Sequence, residues 1–259
     1  MQPITIRYEF RPRRRSLATG QVADLFGLAD KEPPHVVAEN VTLDIRAGNV
    51  VLFTGPSGSG KSSILRAAGR QLNALDAHAL ELPDKPLVDA LSGPVETRLD
   101  NLSACGLSEA RLLLRTPAEL SDGQRYRFRL AYALDQKPAF ILADEFAAML
   151  DRTLAKVLAL NIRKLASRNG AGFLLATTHE DLAEDLNPDL HVRCLGDAHI
   201  EVERRDVKKK ALASRMSFGC RKGPEPTGRI SLGGIIAATT SPSSGGSSSS
   251  GTAASRSAS

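Results

Sequence analysis

Gly55-Pro56-Ser57-Gly58-Ser59-Gly60-Lys61-Ser62 decides how the rest of this chain reads. It fits Gly-x4-Gly-Lys-Ser, a loop of small residues whose successive backbone N–H groups can point inward at an anion. The apolar run Val50-Val51-Leu52-Phe53 precedes it, and a helical pattern of Ile64, Leu65, Ala67 and Ala68 follows. Strand, loop and helix in that order set the positive end of a helix dipole against phosphate. Lys61 is then expected to reach the β- and γ-phosphates, and the Ser62 hydroxyl to be a ligand of Mg²⁺. Gly55 to Ser62, with Ser63 behind them, form the expected cradle for a nucleoside triphosphate.

Working outward, Leu120-Ser121-Asp122-Gly123-Gln124 opens a helical segment from Arg125 to Leu134. Phe140-Ile141-Leu142-Ala143 reads as a buried strand that runs into Asp144-Glu145, and Asp151 follows six residues later. A further apolar run, Phe173-Leu174-Leu175-Ala176, delivers Thr177-Thr178-His179. These are Walker A, signature, Walker B with a following glutamate, D-loop and switch histidine. In this order they make the chain resemble the ATP-binding cassette (ABC) ATPases over roughly residues 20–205.

The resemblance implies phosphoryl transfer to water, in which the protein positions groups and neutralises charge. Asp144 would hold Mg²⁺, Glu145 would accept a proton from the attacking water, and His179 would sense the γ-phosphate. Lys61, Glu145 and His179 are thus the expected catalytic set, and Ser62 and Asp144 the metal ligands. Ser121, Gly123 and Gln124 match the family's Leu-Ser-Gly-Gly-Gln, with Asp122 in place of the first glycine. In that family the signature closes over nucleotide held by a second cassette, so a head-to-tail homodimer on ATP binding is implied. An upstream aromatic usually stacks on adenine there. Phe26 falls at that place, with Tyr8 and Phe10 as weaker candidates and ordinary core packing as the other reading of Phe26.

Departures from the pattern matter as much. Transporter cassettes carry a glutamine between Walker A and the signature, yet no Gln lies between Gln71 and Gln124. Lys61 and Ser121 are sixty positions apart, so the helical insertion that grips a permease must be compact. Its helices are expected at Leu87–Leu91 and Leu99–Leu114. The expected fold is α/β: a P-loop NTPase of ABC ATPase type, a mixed sheet flanked by helices with a shortened insertion at about 75–135. Two strands are expected across 41–54, turning at Ala47-Gly48-Asn49. Leu154, Val157, Leu158 and Leu165 mark one helix face, and Val192–Leu195 and His199–Val202 form a hairpin across Gly196-Asp197.

A length of 259 residues with 42% hydrophobic content suffices for one sizeable core. No apolar stretch approaches the ~18 residues of a membrane helix. Arg13-Arg14-Arg15 has no adjacent apolar region, so a signal peptide is not expected. Cys105, Cys194 and Cys220 are odd in number and unclustered, which argues against a zinc site or disulfide framework and for a reducing cytoplasm. The net charge of +5 is unevenly placed: residues 1–15 carry +4 and residues 207–259 carry +7, leaving the body at −6. Such ends suit nucleic acid or anionic lipid, or are simply solvated.

Three segments follow: a basic 1–20, an ATP-binding domain at 21–206, and a tail at 207–259 that turns Ser/Gly/Ala-rich and reads as disordered. Doublets in the tail (Gly233-Gly234, Ile235-Ile236, Ala237-Ala238, Thr239-Thr240) raise the idea of off-frame translation, which resequencing the gene would test. Three functions are compatible. The short insertion and absent glutamine favour a soluble ABC-type ATPase driving a partner protein, similar to stand-alone or acetyltransferase-associated cassettes. The alternatives are the ATP-binding subunit of a membrane transporter, and a nucleotide-gated scaffold with little turnover.

Overall fold

The computed structural model describes residues 1–9, 16–28 and 33–205. The tail, Phe10, the Arg13–Arg15 run and Cys220 lie outside them, and with them the expectations about tail charge and reading frame.

In chain order the elements are β1 (Ile4–Tyr8), α1 (Leu17–Phe26), β2 (His35–Val41), β3 (Val50–Thr54), α2 (Lys61–Gln71) and β4 (Leu75–Asp76). Then come α3 (Leu87–Ala90), α4 (Val95–Ala104), α5 (Ala110–Leu113), α6 (Asp122–Asp135), β5 (Phe140–Ala143) and α7 (Arg152–Asn169). β6 (Gly172–Ala176), α8 (Leu182–Leu186), β7 (Leu190–Gly196) and β8 (His199–Arg204) complete the described chain.

Six strands form one sheet in the order β4-β5-β6-β3-β7-β8, parallel except for β8, while β1 and β2 pair antiparallel in a separate ribbon. Every residue of β3, β5 and β6 is buried, as expected for strands covered on both faces. Phe53 and Phe173 are fully enclosed, and burying each such side chain contributes about 1.5–3 kcal/mol. The sheet is mixed and flanked by helices, as the sequence leads one to expect.

Some expectations shift. The first of the two strands expected across 41–54 lies earlier, at His35–Val41, because β1 supplies its ladder there. Leu43 is still buried, so the apolar alternation is real, but residues 42–46 join no ladder among the described residues. The helix expected over Leu99–Leu114 is two helices. Gly106 takes φ 80° and Leu107 N–H donates to Leu102 O (2.9 Å), a left-handed stop closed by two buried leucines. On α7 the inward face is Ala155, Leu158, Ala159, Ile162 and Leu165, and Val157 points out. The β7–β8 hairpin turns on Asp197 and Ala198, both at positive φ, which matches the twist of the strands it joins.

Candidate nucleotide site

The C-terminal ends of β3, β5 and β6 lie side by side, and each delivers one motif to the same edge of the sheet. That edge is where open parallel sheets hold ligands.

From β3 comes the phosphate loop. Gly55, Gly58 and Gly60 all take positive φ, and two of the three also lack room for a side chain. A Cβ on Gly55 would stand 2.0 Å from Cys194 O, and one on Gly60 would stand 2.2 Å from Val37 Cγ1. Ser59 Oγ is buried and has no hydrogen-bond partner among the described residues, a cost that a bound phosphate oxygen would remove. The buried Lys61 ammonium donates to Gly55 O (2.8 Å) and Pro56 O (2.6 Å), leaving the third of its three N–H donors. Beside the loop lies an open cavity of about 240 Å³ lined by His35, Val37, Ser57 and Gly58 and by Asp197 and Ala198 of the β7–β8 turn.

From β5 comes the carboxylate pair. Asp144 accepts at Oδ1 from Ser62 Oγ (2.9 Å) and from Glu145 N–H (3.1 Å), and at Oδ2 from Arg66 (3.0 Å). Ser62 and Arg66 are four residues apart on α2 and so share a face, which brings both to the Asp144 carboxylate. Hydroxyl and carboxylate oxygens paired in this way are the donor types Mg²⁺ takes from proteins. Glu145 is exposed and sits at φ 52°.

β6 leads to Thr177–His179. Phe146 N–H donates to Ala176 O (2.6 Å) and Thr177 N–H to Phe53 O (3.0 Å), tying the three strand ends together. His179 is half-buried, its N–H donating to Thr177 Oγ1 (3.2 Å). Arg152, next to Asp151, ion-pairs with Asp181 two residues beyond His179. Below the loop, His191 is buried with Nε2 2.8 Å from Thr54 Oγ1, and burial followed by the nearby Arg193 holds its pKa below the ordinary value.

The signature residues stand at the start of α6. Ser121 Oγ accepts from Gln124 N–H (3.3 Å) and Gln124 Oε1 accepts from Ser121 N–H (3.0 Å), a reciprocal helix cap. Asp122 pairs with Arg125 (3.3 Å). A Cβ on Gly123 would come within 3.1 Å of Met149 O, so the absent side chain lets α6 meet the D-loop backbone closely. Phe26 is 76% exposed at the end of α1, a helix with no buried residue, and is not among the residues lining the cavity; it is not core. Tyr8 is nearer the loop's helix, its Oη 2.9 Å from Ser63 Oγ.

No protein-family model matches the chain. Individual proteins do. The lipoprotein-releasing system ATP-binding protein LolD of Novosphingobium aromaticivorans is 32% identical over 188 residues, 57% of this chain and 83% of that protein. The aliphatic sulfonates import ATP-binding protein SsuB 3 of Paraburkholderia xenovorans is 34% identical over 176 residues, 61% of this chain and 70% of that protein. A solved ATP-binding cassette, dimeric in a post-hydrolysis state with ADP and phosphate, superposes with a TM-score of 0.55 at 20% identity, covering 78% of this chain and 97% of that one. With three of the five ordered motifs meeting at one sheet edge, and relatives matched over most of their own length, this chain belongs to the ATP-binding cassette family of ATPases and is an ATP hydrolase.

Proposed function

We propose that this chain is the ATP-binding subunit of a membrane transporter, hydrolysing Mg-ATP in a head-to-tail homodimer whose closing and opening drive a permease. The convergence of Lys61 and Ser62 after β3 with Asp144 and Glu145 after β5, the two strands flanking β6, carries the hydrolytic part. The relatives carry the transport part, since LolD and SsuB are named for lipoprotein release and sulfonate import. Among the described residues no helix is long and apolar enough to cross a membrane, and the proposed role is docking of this domain at the inner face of a permease.

Bound Mg²⁺ would neutralise charge on the phosphates. Ser62 Oγ and the Asp144 carboxylate would hold it, and Arg66 would keep that carboxylate from turning away. Glu145 would accept the proton of the attacking water, while Lys61, the N–H groups of the loop and Ser59 Oγ would bind the phosphates. His179 would contact the γ-phosphate. Ser121, Gly123 and Gln124 would face the nucleotide of the second cassette, offering a hydroxyl, bare backbone and a helix N-terminus. The base would lie toward the β1–β2 ribbon, where Tyr8 rather than Phe26 approaches α2.

One observation favours the soluble reading. Three residues, Leu72–Ala74, join α2 to β4, and α3–α5 make a compact insertion with a small surface for a permease to grip. Light scattering on the Glu145→Gln protein, with and without Mg-ATP, tests the dimer: a monomer that pairs only with ATP is expected. Fractionation of source cells separates the two readings. Sedimentation with membranes, released by detergent together with an integral membrane protein, supports transport, whereas an ATP-driven dimer recovered wholly from the soluble fraction refutes it.

A further inference from the structure

The turn that carries Glu145 is held from α6. Glu145 (φ 52°) and Ala147 (φ 61°) both adopt left-handed backbone, which side-chain-bearing residues keep only where their surroundings enforce it. Glu145 N–H is tied to Asp144 Oδ1, and Phe146 N–H to Ala176 O. Ala147 N–H donates to Tyr126 Oη (3.3 Å), a buried bond reaching from another element. Tyr126 is itself fixed. It is 6% exposed, and His78, just past β4, packs edge-on against its ring with centroids 5.8 Å apart. Arg129 of α6 clamps the His78 segment through His78 O (2.9 Å) and Leu80 O (2.6 Å). Tyr126, His78, Arg129 and Glu145 line one cavity of about 150 Å³.

We infer that Tyr126 is a positioning residue for ATP hydrolysis, its phenol fastening the Glu145 turn to the helix that begins with the signature residues. The inference rests on Glu145 being the group that accepts the water's proton. Its physical content is coupling. A shift of α6 as Ser121–Gln124 engage a second cassette moves Tyr126, and Tyr126 moves the backbone from which the Glu145 carboxylate projects. Among the described residues the Tyr126 phenol is hydrogen-bonded to the Ala147 N–H and not to the phosphate loop or the metal carboxylate, so its effect falls on turnover and not on nucleotide affinity.

Tyr126→Phe in the full chain keeps the ring against His78 and deletes the acceptor. Turnover per bound nucleotide and affinity for a fluorescent ATP analogue are measured for it, with Glu145→Gln and Tyr132→Phe (a phenol removed elsewhere on α6) alongside. Tyr126→Phe should lose roughly ten- to hundredfold in kcat, the scale of a small misplacement of a reacting group, with affinity within about twofold of wild type. Tyr132→Phe should leave both unchanged. Counting turnover per bound nucleotide keeps a partly unfolded preparation from imitating the effect. Wild-type turnover in Tyr126→Phe beside an inactive Glu145→Gln overturns the role of Tyr126 alone. An equal fall in rate and affinity also overturns it, as the mark of a merely structural residue. Wild-type turnover in Glu145→Gln removes the premise about Glu145 itself.

Discussion

Ser62 Oγ donates to Asp144 Oδ1 across 2.9 Å, joining the first turn of α2 to the end of β5 over 82 positions of sequence. The contact brings Walker A and Walker B together as one oxygen-rich pair, with Arg66 holding the second carboxylate oxygen. Asp144→Asn removes the charge that both Arg66 and a divalent cation need. Phosphate release should fall at least about a hundredfold, the order of loss when a group stabilising transition-state charge is removed. Wild-type turnover and an unchanged Mg²⁺ requirement in the variant at limiting Mg²⁺ would show that Asp144 is not a metal-site residue.

The phosphate loop separates two costs that a glycine can carry. Gly55→Ala would drive a Cβ to 2.0 Å from the Cys194 carbonyl and should destabilise the fold by roughly 2–4 kcal/mol, with loss of ATP binding. Gly58 also has positive φ (81°) but nothing within 4 Å, so Gly58→Ala should cost only about 1–2 kcal/mol of backbone strain. Thermal denaturation of the two variants measures the difference. Equal destabilisation would mean that the close approach of β7 to the loop is relaxed in solution.

Ser121 has a visible task, capping α6, and a proposed one, contacting nucleotide on a second cassette. Ser121→Ala should cost about 1 kcal/mol through the lost cap, whereas Ser121→Asp retains a capping oxygen and should be nearly as stable as wild type. The aspartate places negative charge toward an anion, so this variant should fail to hydrolyse ATP although it is stably folded. Full activity in Ser121→Asp would reduce the serine to a helix cap.

His191 sets a dependence on acidity. Burial first, then Arg193, lowers its folded-state pKa below the unfolded value near 6.5. The folded state thus binds this proton less readily than the unfolded chain. The contribution is whole above about pH 6.5 and is lost as pH falls through 6.5 toward the depressed folded value. Urea unfolding across that window should show stability falling with acidity, and His191→Gln should flatten the slope. An unchanged slope in the variant would assign the acid sensitivity to other groups.

Much of the site was legible in order and spacing, because phosphate binding requires particular residue types on consecutive positions. Gly55–Ser62 announced a strand, a loop and a helix N-terminus, and the chain folds that way. Asp144 and Glu145 were legible as the end of an apolar strand, and Asp151 and Gly170 bound α7 where helix chemistry places a cap and a stop. The compact insertion was legible from the sixty positions between Lys61 and Ser121 alone.

Other features depend on groups far apart in sequence. Nothing local marks Arg66 as the partner of Asp144, Tyr126 as the support for Ala147, or Asp189 as a contact of Arg163 and of the Val50 N–H. Phe26 shows the converse: an aromatic at the expected spacing from the loop ends up on an exposed helix, while Tyr8 reaches Ser63 because β1 pairs with β2. Sequence by itself determined the elements and the chemistry each strand end carries, since propensities, caps and anion-binding loops act over a few residues. Tertiary structure decided which of those ends meet, because strand order in a parallel sheet follows from which apolar faces can be buried together, and that is a property of the whole chain.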